Sequence, residues 1–206
     1  LEFNFVRSGV VGEFRSNDFD FSNRSFFRAS FLKNMSFESS ITLSADFTDV
    51  SDFRPVNVDQ DDLVISTQVN NLENRTVFNY RILNENLLRY NPKYKKNTFN
   101  FLLGYSTVYS RNDGFSGSLS NFPSNAIQEF DGGGTLNPTV SGGANENAIQ
   151  SFFGRANYDF QGKYLLSVAF RADGSSKFAP GNQWGYFPSV SGAWRISQEE
   201  FMADTK

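Results

Sequence analysis

The segment Ser151–Gly174 reads SFFGRANYDFQGKYLLSVAFRADG and indicates two β-strands that are joined by a tight turn at Phe160–Lys163. After this turn, large apolar side chains alternate with residues that are mostly small or polar. Alternation with a period of two places one set of side chains on each face of a strand. One face carries Tyr164, Leu166, Val168 and Phe170, and the other carries Leu165, Ser167, Ala169 and Arg171. The segment therefore predicts a β-hairpin with one apolar face and one face of small and polar residues.

Similar alternation recurs along most of the chain and predicts an all-β, antiparallel fold of about seven or eight strands. Strands are predicted at 24–32, 36–52, 74–84, 97–111, 149–160, 163–172 and 184–197, with a weaker strand within 1–15. The segment 82–90 fits either a short helix or an irregular strand end. Pro188 has no N–H to give to a strand ladder, so it predicts a bulge or the start of a strand.

The connections between these strands alternate between short and long. The short ones are Lys33–Met35, Asn91–Lys96 and Phe160–Lys163, and the long ones are Arg54–Glu73 and Asn112–Asn147. The last connection, Asp173–Gln183, is of intermediate length. Outer-membrane β-barrels have short periplasmic turns and long extracellular loops. A soluble β-sandwich has no reason to collect its long loops at one end. Aromatic residues near the strand ends, such as Tyr164 and Trp194, fit the aromatic girdle of a barrel. The pattern favours a transmembrane β-barrel.

The composition excludes several classes of function. The chain has 19 Lys and Arg against 22 Asp and Glu, so no basic surplus indicates nucleic acid as a partner. It contains no Cys and no His, which excludes thiolate metal sites, His-metal clusters and Ser-His-Asp triads. Its 24 Phe are too many for a disordered chain. We find no catalytic constellation and expect no enzyme activity, no metal and no cofactor.

Two loop motifs invite a binding interpretation. Asp131–Gly134 is rich in glycine like a phosphate-binding loop, but no Gly-Lys-Ser/Thr follows it, which favours a flexible loop. Asp59–Asp62 offers three carboxylates that could hold calcium. It lacks the glycine and the distal Glu of an EF-hand, so a solvated loop is the simpler interpretation.

Three arginines, Arg155, Arg171 and Arg195, fall on the faces of small and polar residues. In a barrel these faces line the lumen, whereas an arginine on the lipid face costs roughly 2–4 kcal/mol at the bilayer midplane. We therefore predict that all three face the lumen. On these faces they could contact substrate directly. The simpler interpretation is that they stiffen the wall by pairing with carboxylates such as Asp159 and Asp173.

The longest ordered strings carry a family resemblance. Ser151–Phe160, Lys163–Ser167, Phe170–Phe178 and Trp184–Ser197 resemble barrel strands of SusC/RagA-like TonB-linked outer-membrane proteins. The resemblance is dense over about residues 149–201 and thins upstream, where residues 1–95 fit by pattern only.

The resemblance implies a barrel of about 22 strands that is plugged by an N-terminal domain. Residues 1–206 would be one part of that barrel domain, without the plug or the TonB-contacting segment. It further implies import of oligosaccharides or peptides across the bacterial outer membrane. The implied partners are TonB, a SusD-like surface lipoprotein and outer-membrane lipid, and the long loops would be extracellular.

Small inward side chains suit a wide lumen better than the filled interior of an eight-stranded barrel, so we expect the gene to extend beyond both ends of this chain. Two alternatives remain open at the level of sequence. One is a non-transport or secretion-associated outer-membrane barrel, which would lack the plug. The other is a soluble β-sandwich carbohydrate-binding module, which would not require detergent. The substrate is not identified by these residues, and no substrate contact is assigned.

Overall fold

The computed structural model describes residues 12–56, 69–133 and 136–205 of the 206-residue chain. These residues form one antiparallel sheet of eight strands in the order β1-β2-β3-β5-β6-β7-β8, with the short β4 paired to β5. The strands are β1 (Glu13–Ser30), β2 (Met35–Arg54), β3 (Asn71–Tyr90), β4 (Lys93–Tyr94), β5 (Asn97–Ser120), β6 (Leu136–Phe160), β7 (Tyr164–Ser175) and β8 (Trp184–Trp194). Three short 3-10 helices lie at Phe130–Gly132, Ile196–Gln198 and Glu200–Thr205. None of the helices in this part of the chain is long and apolar enough to cross a membrane.

The chain divides into two compact units. The first unit comprises the described parts of Leu1–Phe21, Ala45–Tyr80 and Arg111–Asn145. The second unit comprises the described parts of Ser22–Ser44, Arg81–Ser110 and Glu146–Lys206. The three short turns of the sheet and the Ser176–Gln183 loop fall in the second unit, and the other described loop segments fall in the first.

Most strands are longer than the alternation predicted, but β8 ends at Trp194 and not at 197, because a 3-10 helix begins at Ile196. The segment 82–90 is strand to Tyr90, so the helix alternative was wrong. β1 is also continuous through residues 16–23, to which the sequence analysis assigned no strand. Most of the predicted Asn112–Asn147 loop is also strand, because β5 runs to Ser120 and β6 begins at Leu136. These stretches are rich in Gly, Ser and Asn, which signal loops locally. Pairing with long neighbouring strands overrides that preference. Most of the weaker strand within 1–15 lies outside the described residues.

The register of β6, β7 and β8 defines two faces. Gly154 pairs with Phe170 and Ala156 with Val168, while Val168 also pairs with Val190. Directly paired residues share a face in an antiparallel sheet. The apolar face of these strands carries Phe152, Tyr158, Tyr164, Leu166, Val168, Phe170, Tyr186, Pro188, Val190 and Trp194. The polar face carries Ser151, Arg155, Asn157, Ser167, Ala169, Arg171, Ser189 and Ser191. Pro188 pairs with Phe170 inside an unbroken β8 register, so the predicted bulge or strand start was wrong.

Large apolar side chains of the sheet are mostly exposed rather than buried. Leu166, Val168, Phe170, Tyr186 and Val190 are all exposed on the apolar face. The buried apolar residues among those described are few, and Phe53, Leu72 and Phe122 form a small cluster in the first unit. A contiguous exposed apolar surface of this kind marks contact with a membrane or another protein.

Candidate functional site

Arg171 is held in place on the polar face of β7. Its Nε atom donates to both carboxylate oxygens of Asp173, at 2.8 Å each, and its Nη2 atom donates to Ser151 Oγ at 3.0 Å. The guanidinium also lies 5.2 Å from the centre of the Phe153 ring, within the range of a cation–π contact. The structural ion pair with Asp173 is therefore confirmed.

The other two predicted arginines lie in different settings. Arg155 on β6 pairs in register with Ala169, which lies two residues before Arg171 on β7. Arg155 and Arg171 therefore lie on the same polar face of the sheet. Arg195 follows the last residue of β8, and its backbone N–H donates to the carbonyl of Lys163 at 2.8 Å. The carboxylate of Asp159 accepts a hydrogen bond from the Gly162 N–H at 2.6 Å, which closes the turn. That all three arginines face a lumen stays a prediction.

A charged cluster that the sequence interpretation missed joins β1, β2 and β3. The Glu38 side chain is only 6% exposed and has three guanidiniums within 4 Å: Arg28 at 2.5 Å, Arg24 at 3.2 Å and Arg89 at 3.5 Å. One carboxylate with three cations leaves a surplus of two positive charges. Because the three strands are neighbours in the sheet, the cluster links them side chain to side chain. It lies on the side of β2 that carries Ser40 and Thr42, the same polar pattern as in β7.

Part of this cluster could have been found in the sequence. Arg28 and Glu38 are equally distant from Lys33 in the short turn, so a hairpin there brings them opposite each other. Arg24 lies four residues before Arg28 and therefore on the same face of β1. Arg89 gave no such signal, because its position depends on how β3 aligns with β2.

A second missed feature, which we call the loop clasp, orders the segment after β5 in the first unit. Asn70 donates from Nδ2 to the Phe122 carbonyl at 3.2 Å and accepts from the Phe122 N–H at 2.7 Å. Asn125 exchanges two hydrogen bonds with the backbone of Val56, at 3.1 and 3.2 Å. Phe122 packs edge-on against Phe53 with ring centres 6.1 Å apart, next to Leu72. The loop clasp comprises Phe53, Val56, Asn70, Leu72, Phe122 and Asn125.

The glycine-rich motif predicted as a flexible loop begins in ordered structure. Asp131 and Gly132 belong to the 3-10 helix Phe130–Gly132, whose Gly132 N–H donates to the Glu129 carbonyl at 2.8 Å. The calcium candidate at Asp59–Asp62 lies outside the described residues. Within 12–56, 69–133 and 136–205, no three acidic side chains are grouped closely enough to hold a metal ion.

Glu199 joins the turn after β6 to the end of β8. Its carboxylate accepts from the Lys163 ammonium at 2.9 Å and from the Trp194 indole N–H at 3.0 Å. These two hydrogen bonds, with another from Tyr164, lower the pKa of Glu199 to about 2. A lowered pKa means that the folded state favours the ionised carboxylate. Its stabilising contribution is therefore complete above the ordinary pKa of glutamate and is lost as the pH falls toward 2.

We expect Glu199→Gln to speed amide hydrogen exchange in residues 196–202 at neutral pH, because Lys163 and Trp194 lose their ionised acceptor. In the wild-type protein this segment should remain protected at mildly acidic pH and loosen only near the lowered pKa. Glu200→Gln is the matched control, since Glu200 is exposed and makes neither hydrogen bond. Equal exchange in the two variants would contradict the role assigned to Glu199.

Comparison with known proteins agrees with this geometry. The chain is 30% identical over 182 residues to TonB-dependent receptor P3 of Formosa agariphila, covering 85% of the chain and 17% of the relative. It is 44% identical over 61 residues to TonB-dependent receptor SusC of Bacteroides thetaiotaomicron, covering 30% of the chain and 6% of that protein. The chain thus spans less than a fifth of the length of these curated relatives. No protein-family model matches the chain.

The fold itself matches a solved transporter. A structure of the RagAB peptide transporter superposes with a TM-score of 0.83 at 23% identity, covering 94% of the chain and 21% of that protein. Another, of the RagAB peptide importer in its open-open state, gives a TM-score of 0.84 at 22% identity, with the same two coverages. These matches define the fold class as an antiparallel β-barrel segment and rule out the soluble β-sandwich. Together with the sequence relatives, they show that the chain belongs to the SusC/RagA-like TonB-dependent receptors.

Proposed function

We propose that this chain is a wall segment of a TonB-dependent importer in the bacterial outer membrane. The observation that carries the proposal is the two-faced sheet. One face of β6, β7 and β8 is apolar and exposed, and the opposite face consists mostly of small and polar residues. A barrel that spans lipid must satisfy its backbone in a closed sheet and turn apolar side chains outward. The names of the relatives, which are receptors rather than enzymes, support import rather than catalysis.

The proposed orientation follows from the lengths of the connections. The short turns at 31–34, 91–96 and 161–163 would lie on the periplasmic side, and the connections from β2 to β3 and from β5 to β6 would lie outside the cell. Arg155 and Arg171 would then face the lumen. The rest of the receptor, including the plug domain and the segment that binds TonB, lies outside residues 1–206 in this proposal.

The proposed cargo is an oligosaccharide or a peptide, delivered under a SusD-like surface lipoprotein. RagAB is named as a peptide transporter, which supports the peptide. The resemblance to the SusC-like receptors supports either cargo. No residue described here is assigned to the cargo.

Uptake by the intact receptor tests the proposal. The gene would be deleted in its host, and accumulation of fluorescent peptides and oligosaccharides would be measured in deleted, complemented and TonB-deficient cells. We expect one of the two cargo classes to accumulate only when both the receptor and TonB are present. Unchanged accumulation in the deleted strain would favour the non-transport or secretion-associated barrel instead.

A further inference from the structure

The apolar face of the second unit contains a groove of about 800 Å³. The groove forms because β6 presents only Gly154 and Ala156 on its floor, while the flanking strands present larger residues. Leu103 on one side comes within 3.2 Å of where a Gly154 side chain would begin. Phe170 and Val168 border the other side as register partners of these two small residues. The result is a trough with apolar walls on a surface that is otherwise covered by large side chains.

One end of the groove is formed by the turn between β1 and β2. Leu32 and Lys33 both line it there. Leu32 has a φ of 54° and is 80% exposed. A branched apolar residue rarely adopts this left-handed conformation, which glycine and asparagine tolerate better. The turn therefore presents an exposed apolar side chain beside a lysine at the mouth of an apolar groove.

Lys33 belongs to a continuous basic edge, which we call the lysine rim: Lys33, Lys93, Lys95, Lys96 and Lys163. Backbone hydrogen bonds of 2.8 Å connect the successive turns, from Asn91 N to Asn34 O and from Gln161 N to Lys96 O. No Asp or Glu occurs in 31–34, 91–96 or 161–163, although the whole chain carries a net charge of −3. Lys163 is neutralised by Glu199. Within the part of the chain that the structure describes, the other four make no ion pair.

We propose that the groove and the lysine rim together bind one anionic glycerophospholipid from the membrane leaflet at the short turns. The trough matches an acyl chain, which is apolar and thin, and Lys33 at its mouth matches the phosphate of the headgroup. A protein partner would need an apolar surface and a carboxylate at this same spacing, whereas a phospholipid carries both groups in one molecule at the membrane interface. Basic residues near a membrane surface attract anionic lipid in the same way. This inference rests on the proposed membrane-spanning wall but not on transport.

The test uses the full-length receptor in bilayers made of equal parts phosphatidylglycerol and phosphatidylcholine, with the lipid retained after extraction measured by native mass spectrometry. We expect the wild-type receptor to retain phosphatidylglycerol in preference to phosphatidylcholine. Lys33→Gln should lower that retention roughly five-fold, the effect expected for one basic residue at a membrane surface. Lys177→Gln removes the same charge in the exposed 176–183 loop and should change nothing.

A second variant tests the groove separately from the charge. Ala156→Leu fills the trough and leaves the lysine rim intact, so it should also reduce retained phosphatidylglycerol. Equal retention of the two lipids by the wild-type receptor would overturn the proposal, and so would equal retention by the Lys33 and Lys177 variants. Because Lys33 is exposed, Lys33→Gln decides the question even where Ala156→Leu impairs folding. A receptor that fails the uptake assay but retains phosphatidylglycerol would refute transport and leave the lipid site standing.

Discussion

Arginine at position 168 is expected to destabilise the full-length receptor in a bilayer by about 2–4 kcal/mol near the midplane, with a smaller effect nearer the interface. Val168 lies on the apolar face of β7 and pairs with Ala156 and Val190, so its side chain projects among apolar neighbours. In the proposed orientation Val168→Arg places an unpaired charge in hydrocarbon. Urea titration of the receptor in liposomes, followed by its heat-modifiable migration, measures the loss.

The matched control is the same substitution one residue earlier. Ser167→Arg projects from the opposite face of β7, where it replaces only a hydrogen bond to Asn157 of 2.7 Å, with an expected cost of about 1 kcal/mol. A larger loss for Ser167→Arg than for Val168→Arg would mean that the two faces have been assigned the wrong way round. Equal losses would mean that neither face meets lipid.

Phe53→Ala should detach the loop clasp. Phe53 is 1% exposed, packed with Leu72 at 0% and Phe122 at 5%. Removing a buried aromatic side chain costs about 3–5 kcal/mol through lost transfer energy and the cavity that remains. Since the cluster is confined to the first unit, we expect local opening of residues 121–133 rather than loss of the sheet. Faster hydrogen exchange in 121–133, with the β6–β7 hairpin unchanged, is the predicted result.

Phe115→Ala serves as the control for this change. Phe115 lies in β5 of the same unit and is 56% exposed, so its removal leaves no cavity. Exchange in 121–133 should stay at the wild-type rate. If Phe53→Ala also leaves that rate unchanged, the hydrogen bonds of Asn70 and Asn125 hold the segment without help from the aromatic pair.

The sequence predicted β7, β8 and the second half of β6 closely because their two faces differ sharply in polarity, and the turn at 161–163 joins β6 and β7. It failed where the faces do not differ. Residues 111–120 contain five serines and glycines, and pairing with the long adjacent strands keeps them extended. Local composition cannot reveal that pairing, because it depends on the neighbouring strands β3 and β6 and not on residues 111–120 themselves.

The Glu38 cluster and the loop clasp also differ in how far the sequence predicts them. Three of the four members of the Glu38 cluster, Arg24, Arg28 and Glu38, could be predicted from the symmetry of one hairpin about Lys33 and the period of its strands. The loop clasp could not be predicted from the sequence, because Asn70 and Phe122 are 52 residues apart and neither residue type indicates a contact by itself. The sequence left open whether Arg171 contacts substrate directly or stiffens the wall through a structural ion pair. Its contacts with Asp173, Ser151 and Phe153 show that the ion pair is formed.

The order of the strands has a consequence for how such a wall is made. Apart from β4, each strand lies beside the strand that precedes it in the chain, so every pairing in the sheet follows a single turn or loop. A pairing that crosses a single turn or loop costs less loop-closure entropy than one between strands separated by many intervening strands. The sheet can therefore grow by adding one hairpin at a time to an existing edge, without waiting for distant segments. During such growth, only the newest strand has an unpaired edge. A barrel that gains or loses one whole hairpin keeps all its other strand pairings, so one hairpin is the smallest change in barrel size of this kind.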